Sequence, residues 1–188
     1  MSITGVLLAI AGTLVSTWVG WGAYIIYTTE RPPYTVLEKL VSNVEIRQYQ
    51  NQTWIRTSYD SDNSSFRTLA SYIFGSNKDK KTIAMTAPVI TGQHMAFILP
   101  SEMARDNAPE PDGQPIQFIS MSARKVATLR FSWITTPERV ARKTKFLLKM
   151  LQQKGIITKG EPFLMRYNDP WTPPFMRRNE IGIEVTND

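Results

Sequence analysis

The sequence predicts an α+β domain that follows an N-terminal transmembrane helix. The first 29 residues contain no charged side chain, whereas the rest of the 188-residue chain carries all 22 basic and 16 acidic residues. Two later stretches have the apolar periodicity of amphipathic helices, and about eight short stretches alternate polar and apolar residues as half-buried antiparallel strands do. These elements recur twice in one order: strand, strand, helix, strand with a proline, strand. The repetition predicts an internal duplication.

Residues 3–27 are the predicted membrane anchor. They form 25 mostly apolar residues, and a helix of that length is about 37 Å long, more than the roughly 30 Å hydrocarbon core of a bilayer. Aromatic residues cluster at the C-terminal end of this stretch, as at a membrane interface: Trp18, Trp21, Tyr24 and Tyr27. A cleaved signal peptide is the alternative, but no basic residue precedes the apolar run, and Gly20 and Gly22 make a poor cleavage site.

The chain therefore divides into an anchor (residues 1–29), a short linker (30–33) that contains Pro32 and Pro33, and a domain (34–188). Basic residues follow the helix and none precedes it, which predicts a single-pass membrane protein with its domain in the cytoplasm. The net charge of +6 favours an anionic ligand, an anionic membrane surface or nucleic acid without choosing among them, and no specific nucleic-acid partner is predicted.

The absence of cysteine excludes disulfides, thiolate metal sites and covalent haem attachment through C-x-x-C-H. The chain has one histidine, His94. A catalytic triad or a multi-histidine metal site would therefore have to use that residue.

The first half of the domain contains predicted strands at 34–40, 44–49 and 53–59, then a helix. Phe66, Leu69, Ala70 and Ile73 recur on one face of that helix, and Gly75 ends it. Residues 82–90 are a predicted strand that Pro88 interrupts, and residues 95–99 are another strand.

The second half begins after a proline-rich loop at residues 100–115, with predicted strands at 116–120 and 125–133. Thr136, Pro137 and Glu138 then open a helix that runs to Lys154, because a threonine cap, a proline at the first position and an early acid favour a helix start. Strands at 163–167 and 181–185 complete the half. The helix at 137–154 is basic, which is typical of a surface that contacts anionic lipid or simply faces solvent. Its basic residues are Arg139, Arg142, Lys143, Lys145, Lys149 and Lys154.

Residues 166–180, here called the proline segment, read RYNDPWTPPFMRRNE and hold three of the chain's twelve prolines. Proline fixes φ and lacks a backbone donor, so this segment is neither a helix nor the interior of a central strand. We predict a stiff, ordered loop that points its aromatic side chains in defined directions. Such a loop caps a core, contacts a ligand, or does both.

Four motifs carry a family resemblance: YIFGSN at 72–77, KTIAMTAPV at 81–89, MAFILP at 95–100 and the proline segment. Together they make residues 34–185 resemble the SOUL/haem-binding protein family. The resemblance implies a distorted, mostly antiparallel β-barrel-like fold with two helices. It also implies non-covalent binding of haem b or another tetrapyrrole, as a carrier or buffer.

The resemblance places the tetrapyrrole face on the first amphipathic helix and the proline segment. Carried over by position, the site residues are Arg67, Ala70, Ser71, Phe74, Trp171, Pro173, Phe175 and Arg177. The aromatic groups would form a flat apolar bed, and the two arginines would meet the propionates. Ser71 and Pro173 stand where some family members carry lysines, so the cationic rim is reduced here.

His94 is the candidate axial ligand to a haem iron, since histidine is a common axial ligand. Family members do not share one axial histidine, and many are thought to hold haem by an apolar surface. Tyr72 and Met85 are the alternative ligands.

Two other functional classes stay open. One is an effector- or partner-binding module of the same fold, with a ligand pocket between its halves and no haem. The other is an enzyme, but the chain has no G-x-S-x-G, no H-E-x-x-H and no second histidine. An acid–base role would fall to a carboxylate such as Glu180. The sequence therefore predicts a binding protein that is not an enzyme.

Overall fold

The computed structural model describes residues 2–103 and 105–186. The first element, α1, spans Ile3–Thr28, and the Ser2 side chain caps it by accepting a hydrogen bond from the backbone N–H of Gly5. By length and composition, α1 qualifies as a membrane-spanning helix. Most of its apolar side chains are exposed on the surface of the protein.

Nine strands form one curled antiparallel sheet, and two further helices cover it. The strands are β1 Tyr34–Val41, β2 Val44–Tyr49, β3 Gln52–Ser58, β4 Val89–Thr91, β5 His94–Ile98, β6 Gln117–Met121, β7 Arg124–Phe131, β8 Thr158–Arg166 and β9 Asn179–Val185. The helices are α2 Asp62–Ile73 and α3 Pro137–Gln153. Short 3₁₀ turns lie at Arg105–Asn107 and Pro174–Met176.

The sheet order confirms the predicted duplication. Along the sheet the strands run β1-β2-β7-β9-β8-β4-β5-β3-β6. If each of β2, β3, β4 and β5 is matched with β6, β7, β8 and β9 respectively, the order without β1 reads the same from both ends. The pseudo-twofold axis therefore passes between β8 and β4, and each half donates its first strand to the other half of the sheet.

Both helices pack on the same face of the sheet. Leu164 belongs to the apolar cluster beneath α3 and pairs with Thr91 of β4. Thr91 lies on the same face of the sheet as Val89, which belongs to the apolar cluster beneath α2. The two clusters therefore share one face of the sheet. Leu147 and Leu151 anchor α3, as the apolar periodicity predicts. The helix ends follow the sequence signals: Thr136 caps α3, while positive φ values of 105° at Gly75 and 71° at Gly155 follow the two helices.

The opposite face of the sheet is concave. It carries a third apolar cluster, and side chains of β6 and β7, which lie in opposite halves of the sheet, line one cleft there. The curling of the sheet brings these two halves together.

Two strands differ from the prediction. The expected strand at 82–90 is shorter: only Val89–Thr91 forms β4, and the peptide bond before Pro88 is cis. The residues before β4 do not pair with a strand, because their backbone groups bond elsewhere. The N–H of Ile83 donates to the last residue of α2, and the N–H of Ala87 donates to Glu30. In contrast, β8 is longer than expected.

The segment after α1 is hydrogen-bonded to the domain. The backbone carbonyl of Glu30 accepts from the N–H of Ala87 at 2.9 Å, and its carboxylate accepts from the N–H of Ser101 at 2.9 Å. Arg31 donates back to the carbonyl of Ile26 at 2.8 Å. These bonds fix the direction in which α1 leaves the domain.

The C-terminal half of α1 packs against the proline segment. The indole N–H of Trp18 donates to the carbonyl oxygen of Trp171. One turn further on, Gly22 is buried so closely that an added Cβ would lie 2.9 Å from Pro173 Cδ and 3.4 Å from Met176 Sδ. Glycine at position 22 therefore permits this close approach.

Candidate functional site

The proline segment is an ordered loop, as predicted, and its own side chains hold it. The Asp169 carboxylate accepts from the backbone N–H groups of Trp171 and Thr172, at 2.6 and 2.8 Å. The Asn168 side chain accepts from the N–H of Arg178 at 2.7 Å. These short local bonds give the loop a defined shape without a helix or strand.

Arg177 and Arg178 have different roles. The Arg177 guanidinium lies within the loop and donates to the carbonyls of Thr172 and Pro170, at 2.8 and 2.6 Å. Arg178 instead pairs with Glu180 at 2.8 Å. Arg177 is thus primarily a residue that positions the loop, and fewer of its donors remain for a ligand than the sequence suggested.

Two aromatic side chains of the loop point outward. Trp171 is 76% exposed and Phe175 is 58% exposed, while Thr172 and Pro173 between them are buried. The buried pair fastens the loop to the protein, so the exposed pair is held on a rigid base. This segment therefore both caps the protein and presents an apolar surface.

The α2 residues divide into surface and core. Arg67 is exposed, and Phe74 at the end of the helix is 65% exposed. Ser71 is half-buried and donates to the carbonyl of Thr68. Ala70 lies in the α2 core cluster and is only 8% exposed, so it offers little surface to a ligand.

One direct link joins α2 to the proline segment. The Arg166 guanidinium makes a bidentate ion pair with Asp62, with distances of 2.8 and 2.7 Å, and also bonds to Thr91. The hydrogen bond from Arg166 holds the pKa of Asp62 below its ordinary value. The pair fastens the first turn of α2 to the end of β8, where the proline segment begins.

The candidate axial ligands lie in three different environments. His94 is exposed at the start of β5 and lines the mouth of the concave cleft. Met85 is half-buried against the α2 core. Tyr72 is fully buried, and its hydroxyl donates to the carbonyl of Pro109 at 2.7 Å. Burial raises the pKa of Tyr72 to about 12, which disfavours the phenolate form that binds iron.

A buried ionic network on the concave face is a feature that the sequence analysis missed. Glu180 has no exposed surface and contacts Arg47 at 2.7 Å, Arg178 at 2.8 Å and the Tyr167 hydroxyl at 3.0 Å. Burial alone would raise the pKa of Glu180, but the two arginines lower it below its ordinary value. With these partners, Glu180 has a structural role as the shared counterion of two arginines. The pattern VEIRQY at 44–49 places Arg47 with Glu45 on the polar side of an alternating strand, so no signal in the sequence marks this arginine as buried.

The concave face also holds a cleft of about 520 Å³. Trp54 and Phe163 provide aromatic walls, and Arg124 lies over the Trp54 ring at 4.8 Å. Residues 2–103 and 105–186 contain no cluster of three or more histidine, aspartate or glutamate side chains suited to a metal ion. The aromatic walls and Arg124 give the cleft the kind of lining that organic-ligand sites have.

Fold and surface together define an α+β domain that has a concave cleft and a helix of membrane-spanning length at its N-terminus. The profile of the family described as SOUL heme-binding protein matches residues 29–184. The chain belongs to this family, which confirms the resemblance in the sequence and supports a haem-binding module.

Solved structures show the same fold at low sequence identity. The C-terminal domain of EcmrR is 12% identical with a TM-score of 0.55, and the match covers 82% of this chain and 99% of that one. A hydrolase from Listeria innocua is 8% identical with a TM-score of 0.53, covering 77% and 92%. EcmrR in a complex with DNA is 13% identical with a TM-score of 0.56, covering 96% and 70%. No curated protein matches the chain.

Proposed function

We propose that this protein is a single-pass membrane-anchored module that binds haem b or a related tetrapyrrole without a covalent bond, and that it acts as a carrier or buffer. The observation that carries the proposal is the family match over residues 29–184. In this proposal residues 1–29 are the anchor, 30–33 the linker and 34–188 the binding domain. The domain faces the cytoplasm, since the basic residues Arg31, Lys39 and Arg47 follow the anchor.

The exposed aromatic groups support a site on α2 and the proline segment. A tetrapyrrole is a flat apolar ring with two acidic side chains, so it needs an apolar bed with a cation at its rim. Phe74, Trp171 and Phe175 are exposed aromatic residues of these two elements, and so is Phe66 of α2. The hydrogen bonds within the loop order its aromatic groups before binding, which lowers the entropic cost of binding.

The cationic rim rests mainly on Arg67. Its side chain is exposed, and no α2 lysine accompanies it. Arg177 contributes indirectly, because its guanidinium holds the loop carbonyls that set the direction of Trp171. With a reduced rim, the apolar bed supplies most of the affinity. Loss of the aromatic groups should therefore weaken binding more than loss of Arg67.

A hemin titration of the full chain in lipid nanodiscs tests the proposal through the Soret band. We expect saturable one-to-one binding above that of empty nanodiscs. A Trp171→Ala/Phe175→Ala double variant should bind on the order of tenfold more weakly, and Arg67→Ala less than that. Phe146→Ala is the matched control, because Phe146 is an exposed aromatic residue of α3 outside the candidate site. A spectrum identical to that of empty nanodiscs would refute haem binding.

The concave cleft supports a second candidate function, an effector-binding module that does not bind haem. Its aromatic walls and the cations Arg56 and Arg124 suit a small amphipathic anion, while Lys159 is paired with Glu184 at 3.2 Å. The same titration separates the two candidates. If Trp54→Ala and His94→Ala weaken hemin binding and Trp171→Ala/Phe175→Ala leaves it unchanged, hemin binds in the cleft. Absence of hemin binding leaves the cleft as the candidate site.

A further inference from the structure

The end of the domain nearest α1 exposes four large apolar side chains, which we call the apolar end patch. They are Trp133 at 47%, Ile134 at 47%, Trp171 at 76% and Phe175 at 58% exposed. The two segments are joined by backbone bonds, since the N–H of Trp133 donates to the carbonyl of Pro174 at 2.9 Å. Four such side chains at one end of a domain are typical of an interaction surface.

The strand directions place this patch at one end of the sheet. β7 ends at Phe131, β8 ends at Arg166 and β9 begins at Asn179, and all three ends adjoin the patch. α3 begins at this end and returns to the other, because β7 and β8 run in the same direction. With 17 residues, its C-terminus lies about 25 Å away.

The length of α1 fixes the depth of this end relative to a bilayer. The helix begins at Ile3 behind its Ser2 cap, and its first contact with the proline segment is at Trp18. The residues before that contact, 3–17, span only about 22 Å, whereas a hydrocarbon core of about 30 Å needs about 20 helical residues. A spanning α1 therefore carries Trp18 and Gly22 into the bilayer or its interface. The loop residues that touch them must lie at the same depth.

We propose that the apolar end patch is seated in the interface of the bilayer that α1 spans. The proposal rests on the anchor of the proposed function. Tryptophan and phenylalanine suit this position, since interfaces hold aromatic rings at the level of the lipid headgroups. Trp18, Trp21 and the patch then form one continuous aromatic belt, contributed by α1 and by the domain.

This seating also assigns the basic residues of α3. Only its first turns, with Arg139 and Arg142, lie near lipid phosphates, and Lys154 at its C-terminal end faces water about 25 Å away. The N-terminal turns of α3 thus contact lipid, and the rest of the helix does not. A tetrapyrrole dissolved in the membrane would meet Trp171 and Phe175 at the interface, so the ligand would enter from the lipid.

The chain has no cysteine, so single-cysteine spin labels in the full protein test the seating directly. Three variants are labelled in nanodiscs: Leu8→Cys in the anchor, Phe175→Cys in the patch and Lys154→Cys at the far end of α3. Each label is exposed to oxygen, which concentrates in hydrocarbon, and to a water-soluble nickel complex. We expect the Phe175→Cys label to be severalfold less accessible to nickel than the Lys154→Cys label, with the Leu8→Cys label more protected still.

The outcomes separate the anchor from the seating. If the Leu8→Cys label is protected and the Phe175→Cys label is as accessible to nickel as Lys154→Cys, the anchor stands and the seating is wrong. If Leu8→Cys is open to nickel, both fail. Protection of Phe175→Cys from both nickel and oxygen would indicate a second copy on the patch, which also overturns the seating. A check without a label is the quenching of tryptophan fluorescence by brominated lipid. This quenching should be smaller in the Trp133→Phe/Trp171→Phe variant than in the native chain.

Discussion

At the scale of single residues, Glu180 is the charge on which the concave face depends. It is fully buried, and Arg47 and Arg178 are its counterions. Glu180→Gln keeps the shape but leaves two largely buried guanidinium groups without their shared carboxylate. We expect a loss of about 3–5 kcal/mol in the free energy of unfolding, measured by urea denaturation. Glu161→Gln is the control, since Glu161 is exposed and should change the stability little.

The same residue sets a pH dependence. The pKa of Glu180 is lower in the folded protein than its ordinary value of 4.5, so the folded state binds its proton less readily than the unfolded state does. The stabilisation is complete above that value and is lost as the pH falls through the lower, folded-state pKa. Denaturation curves from pH 7 to pH 3 should show this loss in the native chain and a shallower slope in Glu180→Gln. Equal slopes would show that Glu180 does not contribute.

Single residues also show which features could not be predicted from the sequence. The adjacent arginines 177 and 178 look equivalent in the sequence, and Arg177 was assigned to the ligand rim. Their roles differ because Arg178 lies close enough to β9 to reach Glu180, while Arg177 turns back onto its own loop. Exposure of Phe74 and Trp171 followed from the resemblance, whereas burial of Ala70 followed from the apolar periodicity of α2, which packs on β3 and β5.

At the scale of elements, the packing of α1 on the proline segment is the main structural result that periodicity could not predict. The composition of α1 predicts a membrane helix. Its contacts at Gly22, however, join residues about 150 positions apart in the sequence, and local periodicity carries no information about such long-range contacts. The proline segment itself was predicted as an ordered loop, because proline and aspartate act locally. Helix caps were predictable for the same reason. The predicted strand at 82–90 failed because its backbone bonds to α2 and Glu30 instead.

Two glycines of α1 provide a matched test of this packing. A Cβ at Gly22 would lie 2.9 Å from Pro173, whereas a Cβ at Gly20 meets nothing within 4 Å. Gly22→Val should therefore separate the helix from the loop, and Gly20→Val should not, although both introduce the same β-branched residue into the helix. The distance between spin labels at Ser16→Cys and Phe175→Cys reports the change. A distance distribution unaffected by Gly22→Val would contradict the packing.

At the scale of the whole molecule, the duplicated sheet positions both candidate sites. The repeated order of elements in the sequence predicted the duplication, and the palindromic strand order confirms it. The cleft between the halves could not be sized from the sequence, because its volume depends on how strongly the sheet curls. The two surfaces are distinct: the cleft is lined from the concave face, whereas α2 packs on the other face.

The central claim is that a tetrapyrrole binds to α2 and the proline segment, and hydrogen–deuterium exchange with and without hemin tests it most directly. In nanodiscs at saturating hemin, we expect slower exchange in peptides that cover residues 67–75 and 169–178, with no change in β3 and β8 at the cleft. Phe146→Ala should give the same pattern as the native chain. Protection confined to β3, β6 and β8 would contradict the claim and place the ligand in the cleft, and no protection anywhere would contradict haem binding itself.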